Sequence, residues 1–116
     1  MHELSVAQNI CESVREHAAG RHIEEMVVEV GLLSGVNCSS LEFVLPDAAE
    51  ICGLDLRSFI IKPVPAQAQC ECGNIYEAHE LLEPCPKCGS FERSITGGED
   101  IVVSRLTVVD KNEQAN

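Results

Sequence analysis

The chain has 116 residues, of which 45% are hydrophobic and 3% aromatic, so its core must be aliphatic and intrinsic disorder is excluded. Nineteen acids against eight bases give a formal net charge of −11, which repels phosphate backbones and suits metal cations or basic proteins as partners. No apolar run approaches the roughly 18 residues of a membrane span. The opening MHELSVAQNICESVREHAAG lacks a basic n-region and a continuous apolar stretch, so a soluble cytoplasmic protein is expected.

In chain order, Leu4, Ala7, Cys11, Val14 and Ala18 recur at three- and four-residue spacing, with Ile10 on the same side. This predicts a first helix, with Ser5 and Gln8 as a capping box and Gly20 as its stop. Ile23 to Leu33 then alternates, Met26, Val28, Val30 and Leu32 on one face and Glu25, Val27 and Glu29 on the other, as a half-buried strand does. Residues 31–37 read as a loop. Ser39 and Glu42 start a second amphipathic helix with Leu41, Val44, Leu45, Ala48 and Cys52 inward, and Pro46 inside it predicts a kink or a split. Gly53 ends that helix. Leu56 to Lys62 is a second strand, stopped by Pro63 and Pro65.

Residues 66–96 change character, with cysteines, glycines and prolines and little aliphatic periodicity. After Gly97 and Gly98 the β pattern returns over 100–110, and the tail from Lys111 is expected to fray. The fold class is therefore α+β: a small three-stranded sheet with two helices on one face, plus an inserted four-cysteine zinc module of zinc-ribbon type.

Seven cysteines is an odd number and argues against a complete disulfide framework. Four of them cluster as Cys70-x-Cys72, then twelve residues, then Cys85-x-x-Cys88, each pair followed by a glycine that lets the backbone turn back. Two such knuckles facing each other present four thiolates tetrahedrally, which closes a zinc sphere and leaves no position for an activated water. About 30 residues cannot bury enough surface to fold alone, and the metal supplies the missing free energy. A redox CxxC lacks its usual context here and does not explain the other pair. A rubredoxin-like iron site uses similar knuckles, and the scarce aromatics and the C-x-C favour zinc over it.

Met1-His2-Glu3 carries a second metal reading. A bulky His2 should protect Met1 from removal, leaving a free α-amine. That amine, the His2 amide nitrogen and the imidazole can close fused chelate rings around one ion, and three coplanar nitrogens favour Ni(II) or Cu(II). Glu3 adds a possible oxygen ligand. The same residues also fit a plain mobile terminus, and taken alone they leave both readings open.

With these motifs together the chain resembles a known family, the HypA/HybF nickel metallochaperones of nickel–iron hydrogenase maturation. The shared features are MHELSVAQNI, Glu29-Val30-Gly31, the insert ending CPKCGS, and the last strand DIVVSRLTVVD, in the same order across essentially the whole chain. The resemblance implies a nickel ligand at His2 supported by the Met1 amine and Glu3, and zinc ligands at Cys70, Cys72, Cys85 and Cys88. It implies a nickel-binding α/β domain from residues 1–66 and 97–116 and a zinc-binding domain over 67–96. Ni(II) is then cargo and Zn(II) structural. The implied partners are a HypB-type GTPase, the hydrogenase large subunit and a peptidyl-prolyl isomerase chaperone, with no nucleic acid or membrane, and a monomer or weak homodimer is expected. The chain departs from the family in having C-x-C where C-x-x-C is common. That shortens one knuckle, leaves open whether backbone amides reach Cys70 or Cys72, and removes no ligand. No histidine lies near Gly97-Gly98 to act as a linker ligand.

The remaining candidates have plainer readings. Cys11 and Cys52 fall on apolar helix faces as small buried hydrophobes. Cys38, in a loop that could approach the amino terminus, is either such a residue or a soft nickel ligand. His17 favours the helix dipole, His22 is expected in solvent, and His79 is either exposed or beside the zinc. Glu24, Glu25 and Glu29 read as the solvated edge of a strand. A nucleic-acid-binding zinc ribbon is the rival function, but residues 66–96 contain only Lys87 and Arg93 as bases. No nucleophile–base pair, phosphate loop or open metal site indicates an enzyme, so the GTP hydrolysis of hydrogenase maturation must come from a partner.

Overall fold

The computed structural model describes residues 3–80 and 82–110. The nickel candidates Met1 and His2, and the tail from Lys111, lie outside the described residues. Helix α1 runs Glu3–Ala18 and buries Ala7, Ile10, Cys11, Val14 and Ala18, the predicted stripe. Leu4, expected on that stripe, is 44% exposed because it lies in the first turn, ahead of the core. Ala19 and Gly20 both take positive φ, and the left-handed turn at Gly20 ends the helix.

Strand β1 (His22–Gly31) places Ile23, Met26, Val28 and Val30 in the core, and helix α2 (Cys38–Ile51) adds Leu41, Leu45, Ala48 and Ala49. The cap of α2 is Asn37, whose Oδ1 accepts the Ser40 amide at 2.9 Å, and not the expected Ser39–Glu42 box. The helix is not split at Pro46. Pro46 and Glu42, whose carbonyl loses its helical donor, are both exposed, so water can satisfy the freed group.

Strand β2 (Phe59–Val64) starts later than expected and continues through Pro63. It is an edge strand, where a proline is tolerated. It pairs in parallel with β1, α2 forming the crossover. The last long strand, β6 (Ile101–Val109), pairs antiparallel with β1, giving the order β2-β1-β6 with β1 at the centre. Glu24, Glu25 and Glu29 are half-buried on this central strand.

Between these elements the cysteine-rich segment forms a second three-stranded sheet. It consists of β3 (Ala66–Cys70), β4 (Ile75–Ala78) and β5 (Arg93–Thr96) in the order β4-β3-β5. Its core is small: Ala66, Ala68 and Ala78, joined by Leu33 from the β1–α2 loop and flanked by Tyr76 and Ile95. Among the described residues no helix is long and apolar enough to cross a membrane.

Candidate metal centre

Cys70 ends β3, and Cys72 follows in a tight turn closed by hydrogen bonds from the Gly73 amide to the Cys70 carbonyl and from the Cys70 amide to the Asn74 carbonyl, both 2.9 Å. Cys85 and Cys88 occupy the matching turn, closed by the Gly89 amide on the Cys85 carbonyl at 2.8 Å and the Cys85 amide on the Ser90 carbonyl at 2.9 Å. Gly73 and Gly89 both have positive φ, the left-handed conformation that side chains rarely adopt, which is why each knuckle ends in glycine.

The two turns bring all four sulfurs within 4.8 Å of one another. Cys70 Sγ lies 3.3 Å from Cys88 Sγ and Cys72 Sγ lies 3.8 Å from Cys85 Sγ. These spacings are far too long for a disulfide bond. They bracket the S···S separation of about 3.8 Å that tetrahedral zinc with bonds of about 2.3 Å requires. The residues present therefore fit zinc. Cys70 and Cys85 are buried while Cys72 and Cys88 are exposed, so the cluster sits at the surface. Among the described residues no other His, Cys, Asp or Glu group converges in this way.

Hydrogen bonds to sulfur prepare the cluster for a cation. Burial pushes the Cys85 thiol up, but N–H donors from Cys88, the Asn74 amide and Lys87 outweigh it and bring its pKa down to about 6. Lys87 N lies 3.4 Å and Asn74 Nδ2 3.5 Å from that sulfur. The Cys72 backbone amide acts to lower the Cys70 pKa across the shortened C-x-C. Cys70 is nonetheless pushed up to about 12, because that effect is outweighed by the Cys88 thiol, burial and the other sulfurs. Of these two sulfurs, Cys85 ionises more readily than Cys70. Beside Cys70, the carboxyl of Glu92 raises the pKa of Glu71.

A family model described as "Hydrogenase/urease nickel incorporation, metallochaperone, hypA" matches residues 1–108. The chain belongs to the HypA family. It is 37% identical over 112 residues to the hydrogenase maturation factor HypA of Parabacteroides distasonis, covering 93% of this chain and 97% of that one. It is 34% identical over 110 residues to the corresponding factor of Geotalea daltonii, covering 94% and 100%. The fold is similar to the solution structure of the Ni metallochaperone HypA from Helicobacter pylori, with a TM-score of 0.59 and 24% identity over 95% of this chain and 99% of that one. As a HypA-family member the chain is a non-enzymatic accessory protein of nickel incorporation in hydrogenase maturation.

Of the sequence-predicted site residues that the structure describes, the four cysteines come together and Glu3 lies outside their cluster. Glu3 is in the first turn of α1, and its Oε2 accepts the Asn37 backbone amide at 3.4 Å. Cys38, next to Asn37, is half-buried and packs against the main core. Cys11 is fully buried, and burial, the charge of Cys52 and a hydrogen bond with Cys52 push its thiol up to about 12. His17 contacts the Ser13 carbonyl one turn back. His79 is exposed, with Glu77 and Glu83 beside it, and takes no place in the cluster.

His22 departs from expectation. It is not in open solvent but sits between Glu24 and Asp55, at 3.2 and 3.0 Å, with its side chain 13% exposed. Sequence reasoning also missed Asn74 and Asn37. Asn74 directly follows the Gly73 turn, and Asn37 directly precedes the apolar run of α2, so local position alone could have marked both.

Proposed function

We propose that this chain carries Ni(II) at its amino terminus and delivers it for hydrogenase maturation, while the four-cysteine site holds a structural zinc. The cargo ligands are the Met1 amine and His2, with Glu3 adjacent. Cys70, Cys72, Cys85 and Cys88 bind the zinc, which when bound cross-links the two knuckles through four thiolates. The working division is a nickel-binding unit from residues 1–66 and 97–116 and a zinc-binding unit over 67–96, in a cytoplasmic protein. A HypB-type GTPase, the hydrogenase large subunit and a peptidyl-prolyl isomerase chaperone are the partners.

The observation that carries this reading is the closed set of four sulfurs. It uses every position of one metal for structure, so a transferable ion must be held elsewhere. The acidic balance of the chain supports a cation as cargo and a basic surface as partner. The decisive measurement is metal content by native mass spectrometry on protein with an untagged terminus. One zinc and one nickel per chain are expected. His2→Ala, or one residue added ahead of Met1, should abolish nickel while zinc remains, and unchanged nickel affinity in both would overturn the proposal.

A further inference from the structure

The loop between β1 and α2 belongs in sequence to the first sheet, yet Leu33 is seated in the core of the second. Its side chain is 8% exposed and packs with Ala66, Ala68 and Ala78. Backbone bonds fix the loop against both linkers between the sheets: the Leu33 amide on the Gly98 carbonyl at 2.7 Å, the Leu32 amide on the Val64 carbonyl at 2.8 Å, and the Gly31 amide on the Asp100 carbonyl at 2.9 Å.

From Leu33 the chain reaches Asn37 in four steps, and contacts at Ser34, Val36 and Asn37 hold it. The Ser34 amide turns back to the Gly31 carbonyl at 3.0 Å, and Ser34 Oγ accepts the Val36 amide at 3.2 Å. Val36 is buried in the main core. Asn37 caps α2 through its side chain and donates its own amide to Glu3 Oε2. Displacing Leu33 from the alanine core must therefore shift Asn37 or break the Val36 and Ser34 contacts.

We infer that Leu33 and Asn37 are positioning residues for nickel binding, through which the cysteine sheet sets the place of the Glu3 carboxylate next to His2. This rests on the nickel reading above. The gain is preorganisation: ligands that are already ordered cost less to bring to the ion. One Glu3 oxygen is engaged by the Asn37 amide, which assigns Glu3 a part in holding the first turn of α1 whether or not it touches nickel.

The test compares Leu33→Ala and Leu33→Met with the untagged wild type. It reads zinc by native mass spectrometry, Ni(II) affinity by competition with a metallochromic chelator, and exchange of the Asn37 amide by NMR. Leu33→Ala should keep one zinc while nickel affinity falls and Asn37 exchange speeds up, each by about tenfold, and Leu33→Met, which conserves volume, should restore both. If Leu33→Ala loses zinc, the milder Leu33→Val carries the same comparison. A zinc-loaded variant within about twofold of wild type in both readouts overturns the inference while leaving the nickel reading intact. Wild type that binds no nickel overturns the nickel reading itself, and the positioning role with it.

Discussion

Gly31 and Gly98 meet backbone to backbone where the two sheets join. A Cβ on Gly31 would collide with the Gly98 carbonyl, and one on Gly98 would lie 2.6 Å from the Ala66 Cβ. Gly98 also has φ +73, which a side chain rarely adopts. Left-handed strain of about 1–2 kcal/mol and overpacking of about 1–3 kcal/mol add for Gly98→Ala, so a loss of about 2–5 kcal/mol is expected in urea unfolding. Gly31→Ala should cost at least as much, because its Cβ would come closer to the Gly98 carbonyl oxygen than any approach at Gly98. Wild-type stability in either variant would mean that the sheets are not joined as described.

How far the sequence reveals this arrangement depends on the range of the interaction. The cysteine pairs are read correctly because each knuckle is local: ligand, turn and glycine lie within five residues. The helices and β1 are legible because Ala7, Cys11, Val14 and Met26, Val28, Val30 repeat at the period of their element. The second sheet is harder to see, since β3 alternates Ala66-Gln67-Ala68-Gln69, a period of two written in residues with little strand preference. The place of Leu33 is not legible at all. It follows from how two sheets dock, and no local pattern encodes it.

The second sheet should depend on its metal. Its three buried alanines bring about 0.8 kcal/mol per methyl, whereas structural zinc in small domains supplies roughly 10 kcal/mol or more. Removing zinc with a chelator should therefore unfold residues of β3, β4 and β5 while β1, β2, β6 and both helices persist. Cys85→Ser should reproduce this without a chelator. Amide spectra in which both sheets survive metal removal would show that the alanine core and Leu33 suffice.

Thiol reactivity should report how well the packing of α1 on α2 shields Cys11. Cys11 is fully buried, and burial together with Cys52 raises its pKa to about 12, so almost no thiolate exists near neutral pH. In zinc-loaded protein Cys11 should resist iodoacetamide at a pH where denatured protein is labelled throughout. The comparison is made by peptide mapping. Rapid labelling of Cys11 in the native protein would mean that α1 and α2 separate readily.

The contact between Glu24 and Arg57 gives a pH dependence with a definite sign. The hydrogen bond from Arg57 is the main cause that holds the Glu24 carboxyl below its ordinary value of 4.5, with a smaller contribution from His22. A carboxylate whose folded pKa is depressed stabilises the fold fully above its unfolded value, and that contribution disappears as pH falls through the folded value. The stability difference between wild type and Glu24→Gln should thus be present above the unfolded carboxylate value of 4.5 and shrink as pH falls through and below it. Comparing urea midpoints of the two proteins at each pH cancels the separate effect of acid on the cysteine site, which both share. Arg57 is 69% exposed, so added salt should reduce the difference at neutral pH. A difference that grows on acidification would require Glu24 to be stabilised in its protonated form, opposite to the geometry around Arg57.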